Sequence, residues 1–414
     1  MLHQLRRDLE GVAYSPTYTG PVGYNMSCKE MERKFFTALA CLASLFLGGA
    51  VLAPARNHPA WDLPSMYFAG RLVLSGKISR LYSRAVYEPL IAEVRRQDPS
   101  AANRSLYYNR PAWEAPMFVP LAFFTFHDAS LIIVAFNLAL LGLVVWLLPS
   151  WFPSPWLTRP WLAAYLPFLY AIAYGQDTIL LALVVGYGLY SAVQGRDLSA
   201  GIILAFASYK PHTIFLLPIA MISVRRWRML GSFVTVAGGL MLLSFALVGF
   251  QGFRDWLDNL SSSNTDSSPL SMPNLRAIGL HLGMPAMIGA TIVTLLACGV
   301  ILYRRSFIES AAAALLMSLL VSPHTYPQDY SLVAVAALAT FPVPLRYVVL
   351  LPWVFFWPGS NDNSFSAFIC MNLFCLLGLA ATPSIARRIQ SSRTWKFRLP
   401  AAHESAAKAG GSPS

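Results

Sequence analysis

The sequence predicts an all-α, polytopic membrane protein, and three observations carry that expectation. Hydrophobic residues make up 56% of the 414 and charged residues only 12%, against about 25% charged in ordinary soluble domains. Mean hydropathy is +0.51. Apolar runs able to cross a hydrocarbon core of roughly 30 Å recur from residue 35 to about 382, so the embedded part reads as one unit. The runs are continuous Leu, Ala, Val and Phe without the alternation of a barrel strand, and a helix satisfies its own backbone in lipid.

Taken in order, the run 35–55 follows Arg33-Lys34 and ends in Ala53-Pro54-Ala55, the outline of a cleavable signal. It is long enough to span and 34 residues precede it, so it is read as the first crossing. Met26 and Met31 are candidate starts, because the leader before them is polar and patternless. Further apolar runs occupy 129–149, 160–174, 178–194, 198–209, 212–224, 229–250, 284–303, 307–321, 330–342, 345–358 and 365–381. Lys and Arg stay cytoplasmic in short loops; with Arg33-Lys34, Arg159, Arg196, Arg225-Arg226-Trp227-Arg228, Arg304-Arg305, Arg346 and the tail inside, about twelve crossings follow. The runs 160–174 and 198–209 are shorter than the ~17 residues of a perpendicular span, so broken or re-entrant helices are expected there. The domain plan is a cytoplasmic leader 1–34, a transmembrane domain 35–382 with a first periplasmic loop 56–128, and a basic, disordered cytoplasmic tail 383–414.

The net charge of +12 invites a nucleic-acid reading. The basic residues instead stand in small groups at the ends of apolar runs, where they orient helices against anionic lipid. No nucleic-acid partner is expected. The five cysteines (Cys28, Cys41, Cys298, Cys370 and Cys375) form no paired CxxC, so neither a disulfide framework nor a zinc site is indicated. There is no HExxH, Walker loop or GxGxxG, which leaves nucleotide and hydride chemistry without support; no metal or other cofactor is expected.

The polar, non-basic clusters, the loop 251–283 among them, all fall on the outer side of this topology. Asp62, in Trp61-Asp62-Leu63-Pro64, stands just beyond the first crossing. It reads more readily as the cap of a helix starting near Leu63 than as a general base beside interfacial aromatics; the two roles are compatible. The loop continues through aromatic and alternating apolar residues that predict amphipathic helices on the outer leaflet. Gln176-Asp177 follows Gly175, with Asp177 a cap or a ligand. Lys210, between apolar runs beside Pro211 and His212, reads as a phosphate contact or as a snorkelling lysine. His324, Gln328 and Asp329 stand in a gap between two apolar runs, either gripping phosphate or sugar hydroxyls or shaping turns around Pro323 and Pro327.

Together these residues resemble glycosyltransferase family 87, membrane enzymes of the GT-C type similar to polyprenyl-phosphate-mannose-dependent α-(1,2)-mannosyltransferases. The likeness rests on Asp62, Tyr67, Ala69, Gly76 and Leu81-Tyr82, on Gly175-Gln176, on Ala200-Gly201 through Lys210-Pro211, on Arg225-Arg226-Trp227-Arg228, on Pro273-Asn274-Leu275-Arg276 and on Leu320-Val321-Ser322-Pro323-His324. The chain departs from the family where Asn109-Arg110-Pro111 and Ala115-Pro116 stand in place of Tyr-Pro-Pro, and Pro273-Asn274-Leu275 in place of Asn-Gln-Ser. The resemblance implies a GT-C helical bundle in a bacterial inner membrane with its site facing the periplasm. It implies inverting transfer of a sugar, mannose or a related hexose, from a polyprenyl phosphate to a glycan or glycolipid. Asp62 would be the base; Lys210, His324, Arg71, Gln176, Tyr67 and Arg276 would bind the donor phosphate or sugar, with Asp177, Gln328 and Asp329 as second candidates. The lipid-linked sugar would be a co-substrate. The rival class, a transporter or flippase of lipid-linked sugars, predicts internal repeats and midplane polar residues, and neither stands out.

Overall fold

The computed structural model describes residues 62–97, 107–152, 154–155, 158–266, 272–304, 306–341, 372–373 and 375–380. The expected crossings 35–55 and 345–358, most of 365–381, the leader 1–34 and the tail 383–414 lie outside the described residues. Among the described residues the secondary structure is helical, with no strand.

Three helices are long and apolar enough to cross a membrane: α4 (Phe126–Trp151), α11 (Trp227–Asp266, apolar over Trp227–Ser261) and α13 (Met284–Arg304, apolar over Met284–Leu302). Most of each apolar window faces outward, with 33%, 17% and 22% of it buried. Exposed Phe136 and Trp146 on α4, Leu242 on α11 and Leu296 on α13 would form an apolar belt too large for water, and lipid removes that cost.

Inside this belt the helices are shorter and more enclosed. The hairpin α7 (Thr178–Val193) and α8 (Asp197–Phe206), followed by α14 (Phe307–Val321) and α15 (Ser331–Thr340), contributes most of the Leu, Ala and Val core. Small residues let these backbones close up, as dispersion-driven packing in lipid requires. Gly201 on α8 is the tightest case: a Cβ there would collide with Ser232 Oγ and the Met229 carbonyl of α11.

Two expected crossings are broken. The run 160–174 divides into α5 (Thr158–Ala163) and α6 (Leu166–Tyr174), with Pro167 restarting the helix; 212–224 divides into α9 (Pro211–Ile214) and α10 (Leu217–Ser223), with Pro218 in the same role. Proline suits a first turn because it lacks the N–H that would go unpaired there. The run 198–209 is α8 capped by a 3₁₀ turn, Ala207–Tyr209, which stops at Lys210.

The expected outer loop 251–283 is corrected in part. The helix beginning at Trp227 continues to Asp266 through a kink at Gly249, whose φ of 69° favours glycine. Beyond the kink this arm grips the first loop: Trp256 Nε1 donates to the Asn109 carbonyl at 2.9 Å, and Asn259 Nδ2 to the Tyr82 carbonyl at 2.8 Å. The loop itself holds α1 (Leu63–Leu74), α2 (Arg84–Gln97), a 3₁₀ turn at Ala112–Phe118 and α3 (Val119–Ala122). It has its own aromatic core in which Phe68, Tyr82, Tyr87 and Tyr108 are buried. Thus α1 is enclosed over most of its length instead of lying flat on a surface. The last described helix of this region, α12 (Leu275–Leu282), precedes α13.

Candidate functional site

Four chain breaks meet at one end of the enclosed helices, and each delivers a polar side chain. The Asp62 backbone N–H donates to the Tyr174 carbonyl at 2.9 Å, joining the start of α1 to the end of α6. Gly175, at φ 67°, ends α6 in the left-handed conformation and turns Gln176-Asp177 toward the start of α7. Lys210 stands in a non-helical break before Pro211, where a helical conformation is disfavoured. Asp329 lies in the 3₁₀ turn Pro327–Tyr330, which Ser331 ties to the Thr178 carbonyl at 3.1 Å.

Gln176 is the common member. Its Nε2 donates to Asp62 Oδ2 at 2.9 Å, and its Oε1 accepts from Arg110 Nη2 at 2.7 Å and from Lys210 Nζ at 3.0 Å. Lys210 Nζ also donates to Asp329 Oδ1 at 3.1 Å and lies 3.8 Å from Asp177 Oδ1. Arg110 Nη1 donates to Asp177 Oδ2 at 2.5 Å and to Glu114 Oε1 at 2.6 Å. Tyr108 gives its hydroxyl proton to Glu114 Oε2 at 3.0 Å. The backbone around Arg110 is held from both sides, by Tyr82 at the Arg110 carbonyl (2.6 Å) and Trp256 at the Asn109 carbonyl.

Asp62 occupies the N-cap position, and Pro64 lies in the first turn of α1, as expected. Its carboxylate makes no cap bond and turns to Gln176 instead. Asp177, at the N-cap of α7, likewise caps nothing with its side chain and pairs with Arg110. Lys210 is 5% exposed, which removes the snorkelling reading. Turn chemistry at 322–329 does occur, since Asp329 Oδ2 accepts from the Tyr326 N–H at 2.9 Å and the His324 N–H donates to Ser322 Oγ. Asp329 serves Lys210 at the same time.

The carboxyls are electrostatically unequal. Burial, opposed by Arg110 and reinforced by the Asp177 charge, pushes Glu114 up to about 8. Burial also works against an ionised Asp177, yet Arg110 and Lys210 overcome it and hold this group below the ordinary carboxylate range. Asp329 is held low against burial chiefly by Lys210 and then His212. Glu114 is therefore the carboxyl of the three that holds a proton most readily, while Asp177 and Asp329 are ionised and balance the two cations.

His212 and His324 lie beside this network. Their rings meet edge to face at 6.4 Å, and His212 Nε2 is 3.6 Å from Asp329 Oδ2. Among the described residues His212 Nε2 and His324 Nδ1 are enclosed without a hydrogen-bond partner. Burial lowers His324 to about 4, His212 adding to the effect against the pull of Asp329. Gln328 is buried next to Asp329. Among the described residues no three His, Cys, Asp or Glu side chains are arranged to hold a metal ion.

Of the sequence-derived candidates, Asp62, Gln176, Asp177, Lys210 and Asp329 are joined in one bonded network, with His324 alongside. Tyr67 and Arg71 are not joined to it by the bonds described: Arg71 Nη1 donates to Tyr67 Oη at 3.0 Å, and Tyr67 donates to the Phe124 carbonyl at 2.8 Å. Arg276 is exposed on α12, whose cap Asn274 donates to the Ser322 carbonyl at 2.9 Å, two residues before His324. Sequence reasoning missed Arg110 and Glu114. The available signal was an Arg and a Glu four residues apart in a proline-flanked aromatic segment, at the place where the chain departs from the Tyr-Pro-Pro pattern.

No curated protein and no solved structure matches the chain. The family model for glycosyltransferase family 87 matches residues 111–323, just over half of it, with Gln176, Asp177 and Lys210 inside the matched segment and Asp62, Arg110 and Asp329 flanking it. The chain is a membrane protein and belongs to glycosyltransferase family 87.

Proposed function

We propose that this glycosyltransferase moves a hexose, mannose first among the choices, from a polyprenyl phosphate to a glycan or glycolipid acceptor at the periplasmic face of a bacterial inner membrane. The observation that carries this reading is that one Gln176 side chain holds both the Asp62 carboxylate and the Lys210 ammonium. A base and a cation separated by the length of an amide are what displacement at an anomeric carbon needs.

In this reading Asp62 accepts the proton of the acceptor hydroxyl as its oxygen bonds to the anomeric carbon. The bond from that carbon to the phosphate oxygen breaks, and its electron pair leaves with the polyprenyl phosphate. Inversion follows from attack opposite the leaving group. Lys210 and His324 face the developing phosphate charge, and exposed Arg276 guides the approaching headgroup. Asp177, Gln328 and Asp329 order these groups. No metal enters the scheme, because cationic side chains perform the neutralisation. The proposed frame keeps about twelve crossings with both chain ends in the cytoplasm. It also keeps the transmembrane domain at 35–382 and the first periplasmic loop at 56–128.

The test is transfer from radiolabelled polyprenyl phosphomannose to a glycolipid extract by purified full-length protein, with and without EDTA. Label should move into the acceptor with the wild type and not with Asp62→Asn. Wild-type protein that carries the lipid across liposomes without any transfer would defeat the reading.

A further inference from the structure

Gln176 was expected to touch the donor, but its polar atoms are engaged by the protein. Arg110 and Lys210 possess only donors, so Oε1 must face them and Nε2 must face Asp62. The opposite amide orientation would set an NH₂ against two cations and an oxygen against a carboxylate. The protein thus fixes this amide electrostatically, and its N–H is further polarised by the two charges on its oxygen.

We propose that Gln176 is a positioning residue for the reaction: an amide locked by Arg110 and Lys210 that aims the Asp62 carboxylate and presents it with a donor that cannot surrender a proton. The amide orients the base without competing for its proton. A glutamate of the same length would keep the two cations satisfied but set a carboxylate oxygen against Asp62, and the pair would then retain a proton. Arg110 is braced at its own carbonyl by Tyr82 and at the preceding Asn109 carbonyl by Trp256, so the orientation is carried from the aromatic loop core and the arm of α11 beyond Gly249 into the site.

Among the described residues, the charged and titratable groups surrounding Gln176 are Asp62 at α1, Arg110 and Glu114 at the 3₁₀ turn, Asp177 at α7, Tyr209 and Lys210 at the helix break, His212 on α9, and His324 and Asp329 in the 322–330 segment. A change confined to Gln176 leaves every one of them in place. A shifted pH profile therefore reports on Asp62 through its contact with residue 176.

This inference rests on Asp62 being the base, and the experiment separates the two. Full-length protein is assayed with radiolabelled polyprenyl phosphomannose across pH, together with its thermal unfolding midpoint. For Gln176→Glu the acidic limb of kcat/KM should move up by about one pH unit or more, with activity recovering at alkaline pH. For Gln176→Met, which removes both hydrogen-bonding functions at similar length, kcat should fall about 10- to 100-fold while donor KM stays within about threefold. An unmoved limb in Gln176→Glu, or a raised donor KM with kcat preserved in Gln176→Met, overturns the proposal and returns Gln176 to direct donor binding. If Gln176→Glu does not fold, the kcat against KM split in Gln176→Met decides alone. Activity surviving in Asp62→Asn would instead remove the general base itself.

Discussion

Arg110 and Lys210 both donate to Gln176 Oε1, at 2.7 and 3.0 Å, yet the two sides of the network are built differently. On the Arg110 side a planar guanidinium is shared among Gln176, Asp177 and Glu114, and its backbone is pinned by Tyr82 and Trp256. On the Lys210 side an ammonium at a helix break meets Asp329, with two imidazoles beside it whose enclosed nitrogens make no hydrogen bond among the described residues. Guanidinium gives a fixed fork and ammonium a point charge, so the first side suits bracing and the second suits a ligand that comes and goes.

Their response to pH differs in sign as well. Glu114 titrates above its ordinary value in the folded chain, so its contribution to stability is full below the ordinary carboxylate range and is lost as pH rises toward about 8. Asp329 titrates below its ordinary value, so its contribution is full above that range and is lost as pH falls beneath it.

The largest expected effect breaks the axis between the two sides. Asp62→Asn keeps the shape of the carboxylate but removes its basicity, and transfer should fall by about 10²- to 10⁴-fold in the radiolabel assay. Next comes Lys210→Met, which strands buried Asp329 and should cost about 3–5 kcal/mol in unfolding of the detergent-solubilised protein. Adding Asp329→Asn to that variant should restore part of the loss, and a strictly additive cycle would show that the pair is not coupled. A smaller change sharpens the pH contrast: Glu114→Gln copies the protonated carboxyl, so stability at pH 5 should be retained and its decline between about pH 5 and 8 flattened. The smallest effect lies outside the network. Arg71→Gln loosens a half-exposed pair with Tyr67 and should alter stability by no more than about 0.5 kcal/mol, measured by the same unfolding scan.

Legibility differed from residue to residue. Lys210 stood out because an ionisable group between apolar runs is costly unless it is paired, and the partner proved to be Asp329. Asp62 was found for its place beside a crossing, but its local pattern favoured a cap bond that Gln176 supersedes. Arg110 and Glu114 escaped notice because the proline-rich loop around them has no periodicity, and a buried side-chain hydrogen bond leaves no mark in composition. The arm of α11 beyond Gly249 was read as a loop because its polar residues lack an apolar run, while tertiary contacts with the first loop hold it helical.

By itself the sequence determined that the chain is helical and lipid-facing, that the run 160–174 is too short for an unbroken span, and that the run 198–209 ends before Pro211. Hydrophobic run length and proline's missing N–H act locally and need no partner to be read. Only the tertiary structure decided which charges meet. Asp62 and Gln176 are 114 residues apart and Lys210 and Asp329 are 119 apart, so their bonds depend on where folding brings four separate chain breaks. Coulomb energy and hydrogen bonding depend on distance in space, and no local pattern carries that distance.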